Sequence, residues 1–376
     1  MKKIGINAIL YAPSHGGIAV YMKYLIQECL KHESKPYFFV KQNEIKNLDI
    51  QKKSSQIIPV HIPTSPAALR LSLECVIWPY LLKRYNIQCF HSTISYLPPG
   101  INKPSIVTVH DLRVFHYPET FSTWRRKYLM KTIPESIRRA NKIIAISHCT
   151  RKDIIDLFAC PPEKIKVIPH GIDQTRLHMT FSEILKNATL KKYCSYPYLL
   201  LVGHLEPRKN FLRFLQAFQY LKTTKNISEH VVIVGKSNRY TSIIKQEIDR
   251  LSLKPYVHLT DFVNYTELVI LYQNARLVVS PSIFEGFGFT PLEGMAAGKP
   301  VIASNCCAHL ETLSQAALYF DPFDVKDMAE KIYVPLREPQ LYNSLVLKGA
   351  EQAAKYSWET CCKKTIKLYE DISNTL

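Results

Sequence analysis

Three patterns are missing from this 376-residue sequence: Cys-x-x-Cys, Gly-x-Gly-x-x-Gly, and any apolar run near the roughly 20 residues that span a bilayer. Each absence removes a class of protein. The ten cysteines are scattered, with adjacent pairs only at Cys306-Cys307 and Cys361-Cys362, so neither a zinc site nor a disulfide framework is expected. They read as reduced thiols used mostly in packing. Without the glycine fingerprint a nicotinamide dehydrogenase is a poor reading. The start, Met1-Lys2-Lys3-Ile4-Gly5-Ile6-Asn7-Ala8, has polar and glycine residues where a signal peptide needs an apolar core, so a cytoplasmic protein is expected.

Acidic residues are also scarce relative to basic ones, 31 against 49, for a formal net charge of +18. The excess is uneven: residues 1–180 hold 26 basic and 12 acidic residues, a net of +14, and the remainder holds 23 and 19, a net of +4. Such a field suits nucleic acid, an anionic membrane surface or an anionic substrate, and by itself does not choose among them. With 47% hydrophobic and 21% charged residues the composition is globular, and the length suits two domains that each bury a core.

The most informative stretch is Ser280 to Ser304, SPSIFEGFGFTPLEGMAAGKPVIAS. It reads as the end of a strand, a glycine loop, a short helix stopped by Gly298, and a second strand. Thr290 and Glu293 have capping-box spacing, which accounts for one carboxylate locally. Glu285, upstream among the amides freed by Gly286 and Gly288, has no such local account. A helix start opening from a glycine loop attracts phosphate, and carboxylates beside it can accept hydrogen bonds from flanking hydroxyls, which together describe a nucleotide-sugar.

Three other places can carry chemistry. Ser14-His15-Gly16-Gly17 joins a first strand to a helical pattern; it is either a tight turn or a close backbone approach to a ligand. Ser105-Ile106-Val107-Thr108-Val109 is a β-branched strand that ends in His110-Asp111, where a doubly wound domain holds ligands, although a lone histidine there is often structural. Arg208 and Lys209 precede a helix from about Phe211, where cations repel the helix dipole and call for an anion nearby; otherwise they form a solvent-facing pair. Ser122–Arg139 carries six cations against Glu135, with Trp124, Tyr128, Leu129 and Thr132 at helical spacing. Its basic face is either solvated or drawn to anionic headgroups. Pro79 is expected to interrupt the helix over Ala67–Tyr85, and the polar stretch Gln174–Tyr196 to be a linker.

The Ser280–Ser304 stretch closely resembles the Glu-seven residues-Glu signature of group 1 (family 4) retaining glycosyltransferases, with Gly294 where that phrase commonly has Ala. "VTVHDL", "VIPHGID", with His170 where Asn is common, and "GHLEPRKN" resemble further family phrases, so the likeness covers nearly the whole chain. The resemblance implies an α/β GT-B fold of two facing Rossmann-like doubly wound domains with a cleft between them. The implied boundaries are 1–180 for the acceptor side, 181–355 for the nucleotide-sugar side, and 356–376 for a helix crossing back to the first domain. It further implies Glu285 on donor-sugar hydroxyls, Glu293 on the ribose, and Arg208 and Lys209 on the diphosphate. Gly16, Gly17, Gly286, Phe287, Gly288, Phe289 and Thr290 would lie about the donor, Val263 would meet the base through its backbone, and His110 would be a catalytic candidate.

No cofactor or metal is expected, since the chain lacks Asp-x-Asp and has cations and a helix start to offset leaving-group charge. The quoted phrases most resemble bacterial mannosyltransferases of surface polysaccharide synthesis. GDP-mannose is therefore the first donor candidate, with UDP-sugars and dTDP-rhamnose open, and the acceptor a glycan or lipid-linked glycan. An anionic membrane surface at the inner face of the cytoplasmic membrane is a candidate partner, and specific nucleic acid is not expected. Two alternatives keep other classes open: a disaccharide phosphorylase of the same fold, and a non-catalytic nucleic-acid-binding protein directed by the charge.

Overall fold

Uninterrupted runs of Val, Ile, Leu and Phe form strands buried on both faces, as parallel sheets require. The computed structural model describes residues 2–13, 16–32, 35–50, 54–63, 67–174, 193, 195–261 and 263–375. They fall into two compact units, Met1–Gly171 with Trp358–Leu376, and Ile172–Ser357. The predicted linker lies for the most part outside the described residues.

The first unit holds β1 (Ile4–Ala8), β2 (Tyr37–Lys41), β3 (Ile57–Val60), β4 (Cys89–Ser92), β5 (Ser105–Val109), β6 (Lys142–Ala145) and β7 (Ile165–Val167). They form a parallel sheet in the order β3-β2-β1-β4-β5-β6-β7. The helix Gly17–Cys29 follows β1, and the terminal helix Trp358–Thr375 packs on it. Trp358 stacks on Tyr24 at 5.0 Å, and the Cys29 and Cys362 sulfurs are 3.0 Å apart in the interior. Pro79 does not break the helix Ala67–Arg84. Trp78, Leu81 and Leu82 are buried on either side of it, and this packing outweighs the hydrogen bond that proline forfeits.

The second unit holds β8 (Tyr198–Val202), β9 (His230–Val234), β10 (Val257–Thr260), β11 (Leu277–Ser280), β12 (Val301–Ser304) and β13 (Ala317–Phe320). Their order is β10-β9-β8-β11-β12-β13, again parallel throughout. In both sheets the order reverses beside the first strand of the unit, between β1 and β4 and between β8 and β11. Those crevices at the carboxyl ends are where open α/β sheets bind ligands. Among the described residues no helix is long and apolar enough to cross a membrane.

The short helix Phe289–Ala296 packs on β11 so closely that Gly294 has no room for a side chain: a Cβ there would lie 2.8 Å from Val278 Cγ2. The common alanine is thus excluded here by the valine facing it. Gly294→Ala is expected to destabilise the protein by about 1–2 kcal/mol despite alanine's better helix propensity. In a Val278→Ala background the same change becomes stabilising by up to about 1 kcal/mol. Urea denaturation of the four-member cycle checks the reversal of sign.

Candidate active site

The loops after β8 and β11 meet at the reversal of the second sheet. One backbone bond and one side-chain bond clasp them: Ile283 N–H donates to the Arg208 carbonyl at 2.7 Å, and Arg208 Nη1 donates to the Phe284 carbonyl at 3.0 Å. Between them lies a cluster of charges. Glu285 Oε1 accepts from Lys209 Nζ at 2.5 Å and its Oε2 lies 3.0 Å from Arg208 Nη1, while Arg208 Nη2 reaches Glu206 at 2.7 Å. These side chains are nearly buried. Gly203 makes the arrangement possible, since a Cβ at that position would sit 2.9 Å from Lys209 Cε.

Burial alone would raise the Glu285 carboxyl, yet Arg208, Lys209 and His309 outweigh it and hold it far below the usual carboxylate range. Burial pulls the Lys209 ammonium down, with Glu285 opposing. The anion that Arg208 and Lys209 call for is therefore supplied by the protein itself, from 76 residues away.

Eight residues on, Glu293 has the opposite environment. The capping box expected of Thr290 and Glu293 does not form, because the helix begins two residues earlier than that box requires, at Phe289, with Gly288 in the left-handed region (φ 96°) as its N-cap. Thr290 Oγ1 instead donates to the Val202 carbonyl at 3.3 Å, and Glu293 Oε2 accepts from Tyr272 Oη at 2.9 Å. Burial pushes the Glu293 carboxyl up to about 7, the Tyr272 hydroxyl holding it back and Asp173 adding to the rise.

The rest of the glycine loop is braced from behind. Phe287 is buried and meets Phe289 edge-on at 5.2 Å, and the Phe287 carbonyl accepts from Thr312 Oγ1 at 3.0 Å. His309 is fully buried against Gly288, with Nδ1 3.0 Å from Ser304 Oγ. Burial pulls its imidazole down, but Cys306 and Glu285 outweigh this and leave it raised. Val263 stands half-buried in the loop between β10 and the helix Tyr265–Asn274.

In the first unit Gly16 (φ 63°) is the N-cap of the helix Gly17–Cys29, and Gly17 is its first residue. His110 follows β5 and is 7% exposed. Its Nε2 lies 2.8 Å from the Thr93 carbonyl and its Nδ1 3.2 Å from His170 Nε2. Asp111 Oδ1 accepts from Arg113 N–H at 3.0 Å and so holds the loop. Behind His110 runs a chain of polar groups: Tyr21 Oη and Thr108 Oγ1 are 3.1 Å apart, Thr108 Oγ1 and His91 Nε2 2.8 Å, and His91 Nδ1 and Tyr369 Oη 2.6 Å. Burial, with His110 adding, takes the His91 imidazole down to about 3.

The structure thus unites Arg208, Lys209 and Glu285, and places Gly286, Phe287, Gly288, Phe289, Thr290 and Glu293 along the adjoining loop and helix. Tyr272, His309, Glu206, His91 and Tyr21 were not singled out from the sequence. Tyr272, His91 and Tyr21 acquire their partners from distant elements, whereas Glu206 and His309 are held by near neighbours, Arg208 and Ser304, in pairings that match no recognised motif.

These two parallel sheets with switch-point loops have close structural counterparts. The chain is similar to a sucrose-phosphate synthase from Thermosynechococcus elongatus (TM-score 0.79, 19% identity, 100% of both chains). It is similar also to Anabaena HepE in complex with UDP-glucose (TM-score 0.77, 16% identity, 99% of this chain and 100% of that one). The class is a two-domain α/β protein of the GT-B fold.

The family described as "Glycosyltransferase Family 4" matches residues 15–176, and that described as "Glycosyl transferases group 1" matches residues 185–352. O-antigen chain mannosyltransferase B of Escherichia coli is 30% identical over 293 residues, 77% of this chain and 76% of that protein. O-antigen chain mannosyltransferase RfbU of Salmonella typhimurium is 30% identical over 242 residues, 64% of this chain and 62% of that one. The chain belongs to the group 1, family 4 glycosyltransferases, and is a glycosyltransferase enzyme.

The two glutamates are expected to give opposite pH signatures. Glu285 is held low, so its stabilising pair is complete above the ordinary carboxylate range and is lost as pH falls. Glu285→Gln should cost about 3–5 kcal/mol at pH 7, because it strands buried cations, and progressively less in acid. Glu293 is raised from 4.5 to about 7, so its ionisation opposes folding as pH climbs through that window. Glu293→Gln should gain on the order of 2 kcal/mol over wild type above that window and nothing below it. Denaturation midpoints from pH 2 to pH 8 measure both.

Proposed function

We propose that this enzyme transfers mannose from GDP-mannose, with retention of configuration, to a glycan or lipid-linked glycan in cell-surface polysaccharide synthesis. The observation that carries the reading is the Arg208–Lys209–Glu285 cluster at the switch point of a sheet whose family relatives include O-antigen mannosyltransferases. Glu285 pairs with both cations. A bound donor would take its place: the diphosphate pairs with Arg208 and Lys209, and the carboxylate so released accepts from hexose hydroxyls. This exchange avoids leaving any of the charges buried and unpaired.

Glu293 would receive the ribose hydroxyls on the oxygen that Tyr272 leaves open, and the loop Gly286–Thr290 would face the phosphates, with Val263 toward the base. As the anomeric carbon–oxygen bond to the diphosphate breaks, the acceptor oxygen bonds to that carbon on the same face, and its proton passes to the departing phosphate oxygen. Arg208 and Lys209 stabilise the charge that develops there without reorganising.

In this reading the nucleotide-sugar domain spans residues 181–355, and the first domain, residues 1–180, takes the acceptor. Gly16 and Gly17 offer backbone to the diphosphate, and His110 serves the same reaction. Trp124 is 51% exposed and stacks on Tyr128, with Arg125, Lys127 and Lys131 exposed around it. This basic, aromatic-bearing face would attach the enzyme peripherally to an anionic leaflet on the cytoplasmic side, each basic residue contributing roughly 1 kcal/mol.

Calorimetric titration with GDP-mannose, UDP-glucose, UDP-N-acetylglucosamine and dTDP-rhamnose tests the donor. GDP-mannose should bind selectively, and Glu285→Gln should weaken it at least about tenfold, the loss of one charge-assisted contact. Selective binding of UDP-glucose would reject the mannosyl reading and leave a glycosyltransferase, and binding of none would reject the assigned site. Dependence of turnover on inorganic phosphate would point to a phosphorylase instead.

A further inference from the structure

His170 occupies the position where the family phrase commonly has asparagine, and the proposed chemistry makes no use of it. It is 1% exposed, lies 4.7 Å from the Tyr21 ring and 5.7 Å from that of Trp358, and turns its Nε2 toward His110. We propose that His170 is a positioning residue that locks the His110 imidazole as the Nε2–H tautomer in one fixed orientation. The proposal rests on His110 serving the transfer reaction, as read above.

The assignment follows from donor and acceptor counting. A backbone carbonyl only accepts, so the hydrogen on the 2.8 Å contact between His110 Nε2 and Thr93 O belongs to the histidine. In a neutral ring Nδ1 is then a lone pair. The group facing it at 3.2 Å is His170 Nε2, which must therefore be the N–H donor. Both rings stay neutral in this arrangement. Burial pulls both imidazoles below their ordinary range; the Thr93 carbonyl and Asp111 counter only part of this at His110, and His110 adds to it at His170. Around the pair stand His91, Tyr21 and Asp111, and His91 is itself held neutral.

Two consequences follow. With both nitrogens engaged, the His110 ring neither gives nor takes a proton in the reaction; it acts by being held still. And what His170 shares with the asparagine common at this position is one side-chain N–H donor, which predicts that the exchange is tolerated. A phenylalanine keeps the ring packing against Tyr21 and Trp358 but removes the donor.

The experiment compares wild type, His170→Asn and His170→Phe by long-range ¹H–¹⁵N imidazole correlation spectra and by steady-state kinetics, with His110→Gln to assign the His110 signals. Wild type and His170→Asn should show His110 as a single, neutral Nε2–H tautomer at pH 7. Donation to the lone pair favours the neutral ring, so in His170→Phe the His110 titration should move upward and its tautomer signal broaden or split. In kinetics, His170→Phe should lower kcat about tenfold with donor KM within about twofold, and gain a new pH limb, while His170→Asn stays within about threefold of wild type. An Nδ1–H tautomer in wild type, or equal losses in the Asn and Phe variants, would overturn the proposal. The wild-type spectrum carries the test even where a variant fails to fold. It also needs no turnover, so the tautomer result stands apart from the fate of the transferase reading.

Discussion

The second unit depends on one electrostatic constraint: Glu285 must stay ionised inside the protein. A carboxylate removed from water is costly unless paired, and the pairing here comes from Arg208 and Lys209, with Glu206 balancing Arg208. The sheet order puts β8 beside β11, so the loops that follow them leave the sheet together. Gly203 leaves room for the Lys209 stem, and the Ile283-to-Arg208 bond fixes the spacing of the loops. Each feature has a local cause, and together they hold two cations against a buried carboxylate at the switch point of the sheet.

Environment, rather than residue type, separates the two glutamates of one short segment. Glu285 faces cations and is held low; Glu293 faces a tyrosine hydroxyl and another carboxylate in a buried setting, and is pushed up to about 7. A carboxylate that stays charged suits contact with hydroxyls near a cationic centre. One that titrates near neutrality makes its hydrogen-bonding capacity a function of pH.

The first unit solves a different problem. Its polar interior, running from Tyr369 through His91, Thr108 and Tyr21 to the His110–His170 pair, carries no net charge and survives burial by internal hydrogen bonding. The terminal helix supplies Tyr369 and Trp358 to this network, so the last residues of the sequence brace a strand end near its first third.

What the sequence determined alone was whatever depends on neighbours within a few residues. The β-branched runs became strands, Gly298 (φ 70°) ended its helix, and Ser147 capped the helix His148–Phe158 by accepting from Thr150 N–H. The Glu285 and Glu293 pair, the His110 strand end and the Arg208–Lys209 loop were legible as motifs. Their partners were not. The same local rules that found Thr290 and Glu293 assigned them a capping box, and the structure sends both elsewhere, to Val202 and Tyr272. That Gly294 stands where the phrase commonly has alanine was visible in the sequence; that Val278 packs against it was not. Lys209 met Glu285 across 76 residues and His110 met His170 across 60. Contacts of that span are set by strand order and by which side chains fill the space between elements, and only the folded chain decides them, because the free energy of burying a polar group depends on what surrounds it in three dimensions.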